Sequence, residues 1–403
     1  MKSEWTYRPL GELVSFASGG TPSKKRDDYW GGTIPWISAK TLKTENIDTS
    51  DLFITEEGLK AGSKIAPKGS ILLLTRGSGL FNGIPIARVE KDVAFNQDIK
   101  CLDSYGEVEN EFIFYWLLSQ KDYLMAKVGV TGIGAGKFDL DFLQKLMIPI
   151  PSERERKSIV GFASSISEKI RCNAKVNENL QQQLRTIFKA EFTDNPELEN
   201  ITQIPLSELC HVVTKGTTPT TLGKPFVESG INFIKAESIL DNHSIDKSKF
   251  AFIDEETNAL LKRSIIHVGD VVFTIAGTLG RFALIDENVL PANTNQAVAI
   301  IRADVEKVLP EYIYTCFIGE WHTDYYAKRV QQAVQANLSL TTIKSLPIPL
   351  LDEAKMSEYL SLILPLIKAI KTNEAQNEKL AALRDNLLPK LMSGEIDVSN
   401  LQL

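Results

Sequence analysis

The chain is poor in the residues that usually betray chemistry. Its four cysteines, Cys101, Cys172, Cys210 and Cys316, stand far apart with no C-x-x-C pair, so they read as reduced structural thiols rather than a disulfide framework or a zinc site. The four histidines are equally scattered and form no H-E-x-x-H, which leaves a metal centre nothing to stand on. No apolar run approaches the ~20 residues that a membrane span needs. The start, Met1-Lys2-Ser3-Glu4-Trp5, lacks the apolar core of a signal peptide, so a cytoplasmic location is expected. Positive charge is also short: the net charge is −6, and no stretch forms a basic tail. Nonspecific nucleic-acid binding by bulk charge is thereby disfavoured, and any such contact must come from local patches.

Catalytic signatures are missing as well. Gly132-x-Gly134-x-Gly136-Lys137 has a phosphate-loop flavour, but the spacing is wrong and Phe138 follows where a Ser or Thr is required. There is no Asp/Asn-Pro-Pro-Tyr/Phe tetrad of the amino-methyltransferase kind and no carboxylate-lysine cluster of a nuclease. Intrinsic catalysis is not expected.

What is present is a repeat. At 403 residues and 43% hydrophobic composition the chain is long and apolar enough for two cores. Residues 152–192 predict one long helix, with Ile159, Phe162, Ile166, Ile170, Leu180, Leu184 and Ile187 on a narrow apolar stripe, interrupted by Asn173 and Asn177. Polar residues on such a seam cost stability but fix register. A stripe of this kind needs a mate, and residues 352–392 supply one, with Met356, Tyr359, Ile363, Ile367, Ile370, Leu380, Leu383 and Leu387. Each helix follows a proline-marked exit, Ile148-Pro149-Ile150-Pro151 and Leu346-Pro347-Ile348-Pro349. Asn177-Glu178-Asn179-Leu180 aligns with Asn377-Glu378-Lys379-Leu380, and Leu184-Arg185 with Leu383-Arg384.

The globular regions repeat too, with a period near 200 residues. Gly19-Gly20-Thr21-Pro22 matches Gly216-Thr217-Thr218-Pro219, and the strand Ile34–Ile37 matches Ile231–Ile234. The apolar run Ile71–Leu74, a strand covered on both faces, matches Val271–Thr274. Asn96-Gln97 matches Asn295-Gln296, and recurrence at one place in both halves suggests a shared turn more than base reading. Glu111–Tyr115 and Glu311–Thr315 each open a helix. Five blocks in one order make a tandem duplication. Between blocks the halves diverge: Lys24-Lys25-Arg26 has no basic counterpart, and the glycine loop 129–137 stands where the second half has amides and small residues. One scaffold with two loop sets implies related tasks on different targets.

The G-x-T-P turns, the Ile-Pro-Trp-Ile strand, the Thr75-Arg76-Gly77-Ser78 loop, the Asn-Gln pairs, the proline exits and the ending Leu387-Leu388-Pro389-Lys390-Leu391 together resemble the HsdS-like specificity subunits of type I restriction-modification systems, over essentially the whole chain. The resemblance implies an α+β fold: two pseudo-symmetric α/β target-recognition domains separated by two long antiparallel coiled-coil helices. The implied boundaries are 1–151 and 193–350 for the domains, 152–192 and 351–393 for the spacer helices, and 394–403 for a tail. It further implies a non-catalytic subunit that reads a bipartite site on double-stranded DNA, docks two methyltransferase subunits and joins restriction/translocase subunits. S-adenosylmethionine, ATP and magnesium are expected only on those partners. The alternatives are a methyltransferase or nuclease with an unrecognised motif, or a scaffold that never meets DNA. Two departures from the family pattern stand out. Glu153-Arg154-Glu155-Arg156 replaces an acid-glutamine pair, and Pro365 should kink or restart its helix.

Helices of about 36 residues span roughly 54 Å at 1.5 Å per residue, more than one turn of B-DNA, so their length would set the unread gap. Base edges are read by Arg, Lys, Asn and Gln, so the candidates lie in the divergent loops. In the first domain they are Lys24, Lys25, Arg26, Lys40, Arg76, Ser78 and Lys137. In the second they are Lys215, Thr217, Lys235, Arg281, Gln331, Gln332 and Asn337. Fewer bases in the second set predict weaker phosphate attraction there. Lys24 to Arg26 reads equally as a solvated charge run, and Arg76 as a structural ion-pair partner.

Overall fold

The computed structural model describes residues 5–132, 134–196, 201–323, 325–326 and 337–398. The chain divides into two units, Met1–Lys169 with Lys379–Leu403, and Ile170–Glu378.

In the first unit a short antiparallel pair, Thr6–Pro9 with Met147–Ile150, ties the start of the domain to its proline exit. A five-stranded sheet follows in the order Val14–Ser18, Ile99–Ser104, Ile71–Leu74, Ile86–Val89, Asn46–Ile47. All four residues of Ile71–Leu74 are fully buried, as an uninterrupted apolar run between two covered faces requires. The helix Asn110–Ser119 is buried along Phe112–Leu118 and belongs to the same core. A second sheet runs Phe53–Ile54, Trp30–Ile37, Val93–Phe95, Ile65–Ala66, with its two central strands parallel.

The second unit repeats this plan. Gln203–Pro205 pairs with Pro347–Pro349. One sheet has the order Cys210–Lys215, Val298–Ala303, Val271–Thr274, Phe282–Leu284, and the other Ala251–Ile253, Ile231–Ile234, Ala292–Thr294. Every aligned sequence block falls on the corresponding strand, turn or helix. Among the described residues, the first unit alone carries a three-stranded ribbon, Gly129–Val130, Gly136–Lys137 and Arg76–Gly77.

Both long helices form, Glu153–Phe192 and Glu353–Met392. They are more than spacers, because each changes unit part-way and supplies core to both. Ile159, Ala163, Leu388, Leu391 and Met392 complete the first core. Leu184, Phe188, Phe192, Tyr359, Ile363, Ile367 and Ile370 complete the second. The stripe of one helix is too narrow to be satisfied by its mate alone, so its flank packs into the sheet domain. Pro365 neither ends nor restarts its helix: the ring lies on the exposed side of an unbroken helix, where a missing N–H is solvated.

Of the predicted helix-pairing residues, Ile159, Ile166, Leu184, Ile363, Ile367 and Ile370 are buried, while Phe162, Ile170, Leu180, Leu380 and Leu387 are half-buried. Leu383 is a correction. It is 47% exposed, and Arg384, at 5%, holds the seam. The sequence alignment of Leu184 with Leu383 contains a one-residue gap, which a continuous helix cannot absorb without turning the side chain by about 100°. At the constant offset of 200 the partner of Leu184 is Arg384.

The same offset organises the polar seam. Asn173 donates from Nδ2 to Oδ1 of Asn377 at 2.8 Å, and Asn373 donates to Oδ1 of Asn177 at 2.8 Å. Asn177 Nδ2 also reaches the Ile370 carbonyl at 3.1 Å, and Asn377 Nδ2 the Ile170 carbonyl at 3.3 Å. The repeat maps each bond onto its counterpart, and the pairing of rising with falling residue numbers makes the helices antiparallel. Asn177→Leu strips Asn373 of its acceptor and is expected to lower stability by about 1–3 kcal/mol, read as a shift in the urea midpoint. Adding Asn373→Leu should recover most of that loss while removing the polar pair that selects this register.

Candidate nucleic-acid interface

The G-x-T-P turn is built by close backbone approach. A Cβ on Gly19 would stand 2.0 Å from the Phe95 carbonyl oxygen, and one on Gly216 1.9 Å from that of Thr294. Only glycine fits either place. The turn is then locked by its threonine: Thr21 Oγ1 donates to Gln97 Oε1 at 2.7 Å, and Thr218 to Gln296. Asn96 Oδ1 accepts from the Asp98 N–H at 3.2 Å, and Asn295 Oδ1 from the Ala297 N–H at 3.0 Å. Both Asn-Gln pairs therefore hold a shared turn. Thr217 lies in it, with its N–H on the Thr294 carbonyl at 3.2 Å.

The candidate cations divide by whether the chain already answers them. Arg26 makes a two-pronged contact with Asp28, at 2.8 and 2.6 Å, and lies 4.8 Å from the Tyr29 ring centre. The guanidinium holds the Asp28 carboxyl below its usual range. Arg281 is committed further: Nε and one terminal nitrogen bind Asp241 at 2.6 and 2.7 Å, and the other reaches the Ile239 carbonyl at 3.2 Å. It therefore clamps a loop instead of standing free to read bases. Lys235 pairs with Glu237 at 2.9 Å. Lys215 ends its strand half-buried.

Lys24, Lys25 and Lys40 are exposed at turns and have no charged or hydrogen-bonding side-chain partner among the described residues. Ser78 is exposed where the ribbon strand passes into the turn Ser78–Asn82. Arg76 and Lys137, 61 positions apart in sequence, are direct cross-strand partners in the ribbon. Asn337 is exposed next to Leu338, whose N–H meets the Ile275 carbonyl at 2.9 Å. Gln331 and Gln332 lie outside the described residues.

A search for donors misses the apolar groups beside the ribbon. Val130 is 69% exposed and Phe81 45% exposed. The available signal was an apolar residue flanked by glycine or by loop polar residues. The second unit also holds a cleft of about 650 Å³, lined by Lys175, Arg185, Asp241, Asp286, Lys371 and Glu374 among others. Lys371 is answered there by Glu374 at 3.0 Å and Asp286 at 3.8 Å, so this mixed surface is no phosphate track.

Residues 2–182 and 199–382 match the family model of the type I restriction modification DNA specificity domain, once per half. The chain belongs to this family. Specificity subunits of this kind recognise DNA and carry no catalytic centre. A similar protein is the MjaIX type I restriction enzyme specificity subunit of Methanocaldococcus jannaschii, 26% identical over 425 residues, covering 99% of this chain and 95% of that one. The EcoR124I/EcoR124II specificity subunit of Escherichia coli is 31% identical over 161 residues, 40% of each chain. In fold, the crystal structure of the type I restriction-modification S subunit from M. genitalium matches with a TM-score of 0.53 at 15% identity over 96% of both chains. The expected α+β specificity-subunit architecture, with two domains and two long helices, is borne out. Among the described residues no helix is long and apolar enough to cross a membrane.

Proposed function

We propose that this specificity subunit reads a split site on double-stranded DNA, one half through each unit. On this reading the paired helices dock two methyltransferase subunits, and restriction/translocase subunits join the assembly in the cytoplasm. S-adenosylmethionine, ATP and magnesium are assigned to those partners and none to this chain. One observation carries the proposal: the same strand order occurs twice, with the shared turns preserved and the exposed loops different. Two frames with unlike loops suit two unlike half-sites. The acidic overall balance leaves attraction to local groups such as Lys24, Lys25, Lys40, Arg76 and Lys137, so binding should weaken steeply with salt.

The test is to co-express the chain with a cognate type I methyltransferase subunit in a methylation-free host and to map modified adenines by long-read sequencing. A two-part motif with a fixed gap is the expected result. A contiguous motif, or no modification from an assembled complex, overturns the reading.

A further inference from the structure

The ribbon of the first unit holds an arrangement that a free protein has reason to avoid. Arg76 stands directly opposite Lys137. In an antiparallel pair, opposed residues project from the same face with their Cβ atoms about 5 Å apart, and like charges so placed are destabilising. Both are exposed, and neither has a hydrogen-bond or ion-pair partner among the described residues. Arg26, Lys235 and Arg281, by contrast, are each answered by a carboxylate of the chain.

The ribbon is also anchored. Phe138, next to Lys137, is buried and donates its N–H to the Thr75 carbonyl at 2.9 Å, and Leu80 is buried beneath the following turn. Gly136 lets the strands close up, since a Cβ there would meet Leu80 Cβ at 2.9 Å. Two cations are therefore presented side by side from a narrow, supported ribbon.

Resting on the DNA-recognition reading above, we infer that this ribbon enters the major groove and that Arg76 and Lys137 together read a guanine-containing step in the half-site of the first unit. The major groove admits a two-stranded ribbon. Guanine offers two acceptors, N7 and O6, on one edge, and the Arg fork matches them. The opposed positive charges, repulsive in the free protein, then share the acceptors of one base step. Arg76 supplies the paired donors and Lys137 the adjacent point charge.

The second unit lacks this device. The bond from Leu338 to Ile275 corresponds to that from Phe138 to Thr75, so Ala276 and Asn337 occupy the places of Arg76 and Lys137. An alanine and an amide cannot make the same reading, and an amide suits adenine. The guanine requirement belongs to one half of the site only.

The experiment maps methylated motifs for the wild type, Arg76→Gln, Lys137→Gln and Arg76→Lys, each co-expressed with the methyltransferase subunit. It also measures DNA binding against salt and unfolding of the free protein. Arg76→Gln is expected to relax discrimination at a guanine position of one half-site roughly tenfold to a hundredfold, with the other half unchanged. Lys137→Gln should relax the same step. Arg76→Lys should keep affinity while losing guanine selectivity. Removing either charge should leave the free protein as stable as the wild type or more so, a result that a structural ion-pair role would not produce. An unchanged motif with binding weakened evenly over all sequences and a shallower salt slope makes both residues phosphate contacts and overturns the inference. A wild-type motif without guanine at the affected position overturns it too. Absence of any split motif in the wild type instead brings down the parent reading and this one with it.

Discussion

Arg384→Met is expected to destabilise the first unit by about 3 kcal/mol. Arg384 is 5% exposed and donates to both oxygens of Glu45, at 2.6 and 2.9 Å, to Ser167 Oγ at 3.0 Å and to Asp385 at 2.9 Å. Burial works against its charge, but Glu45 and Asp385 outweigh that and hold the guanidinium above its ordinary range. Removing it strands a carboxylate whose side chain is only 28% exposed. Lys121, 3.5 Å from the same carboxylate, softens the loss and places the cost at the lower end of the usual range for a broken buried pair.

The repeat supplies the control. At the offset of 200 the second unit has Leu184 in place of Arg384 and Ile367 in place of Ser167, both buried, so an apolar solution to the same position already exists in the molecule. Arg384→Met combined with Glu45→Leu should therefore return to within about 1 kcal/mol of the wild type. Urea unfolding followed by tryptophan fluorescence reports on this unit, since Trp5, Trp30, Trp36 and Trp116 all lie in it. A single variant within 1 kcal/mol of the wild type, or a double variant whose cost equals the sum of the two singles, would show that the pair is not coupled.

The Arg384 position also shows where sequence reasoning stops. Periodicity identified both helices and most of their buried faces, because a stripe at spacings of three and four is a local property of the chain. It placed Leu383 inward because leucine looks like a seam residue and arginine does not. The carboxylate that makes Arg384 a buried residue lies 339 positions away. The same limit governs the candidate interface. The G-x-T-P turn was legible as a motif, but the carbonyl pressing on its glycine comes from a strand about 77 residues further on. Arg281 looked available until Asp241 was brought to it, and Arg76 and Lys137 were separate guesses until the ribbon set them opposite each other. Composition names the groups able to meet DNA, whereas only the fold shows which of them the protein has already used.

Below pH 6.5 the second unit is expected to lose stability on account of two buried histidines. His243 stacks on Phe282 with ring centres 4.0 Å apart, and His322 meets Phe317 at 5.2 Å and Phe273 at 5.7 Å. Burial is the chief cause that pushes both from an ordinary 6.5 down to about 4. Arg185 and Lys371 lower His243 further while Asp241 opposes them, and His243 in turn lowers His322. Between pH 6.5 and about 4 the unfolded chain takes up protons that the folded unit refuses. Stability is therefore complete above 6.5, falls as the pH drops, and has lost the whole contribution once the pH passes below about 4. Each histidine contributes roughly 3 kcal/mol over that interval.

His322→Phe isolates the effect, because phenylalanine keeps the ring contacts and the buried Nδ1 it removes has no hydrogen-bond partner among the described residues. At pH 7.5 the variant should be at least as stable as the wild type, and at pH 5 more stable by roughly 2 kcal/mol. Hydrogen exchange of the central strands Val271–Thr274 and Val298–Ala303 measures this within the unit concerned. Identical losses of protection in the two proteins between pH 7.5 and pH 5 would assign the acid sensitivity to carboxylates such as Asp304, which Lys307 and the Glu306 N–H hold below the usual range despite an opposing desolvation. A gap that opens only as the pH falls assigns it to the imidazole, since the two proteins differ by one titrating group and share every carboxylate.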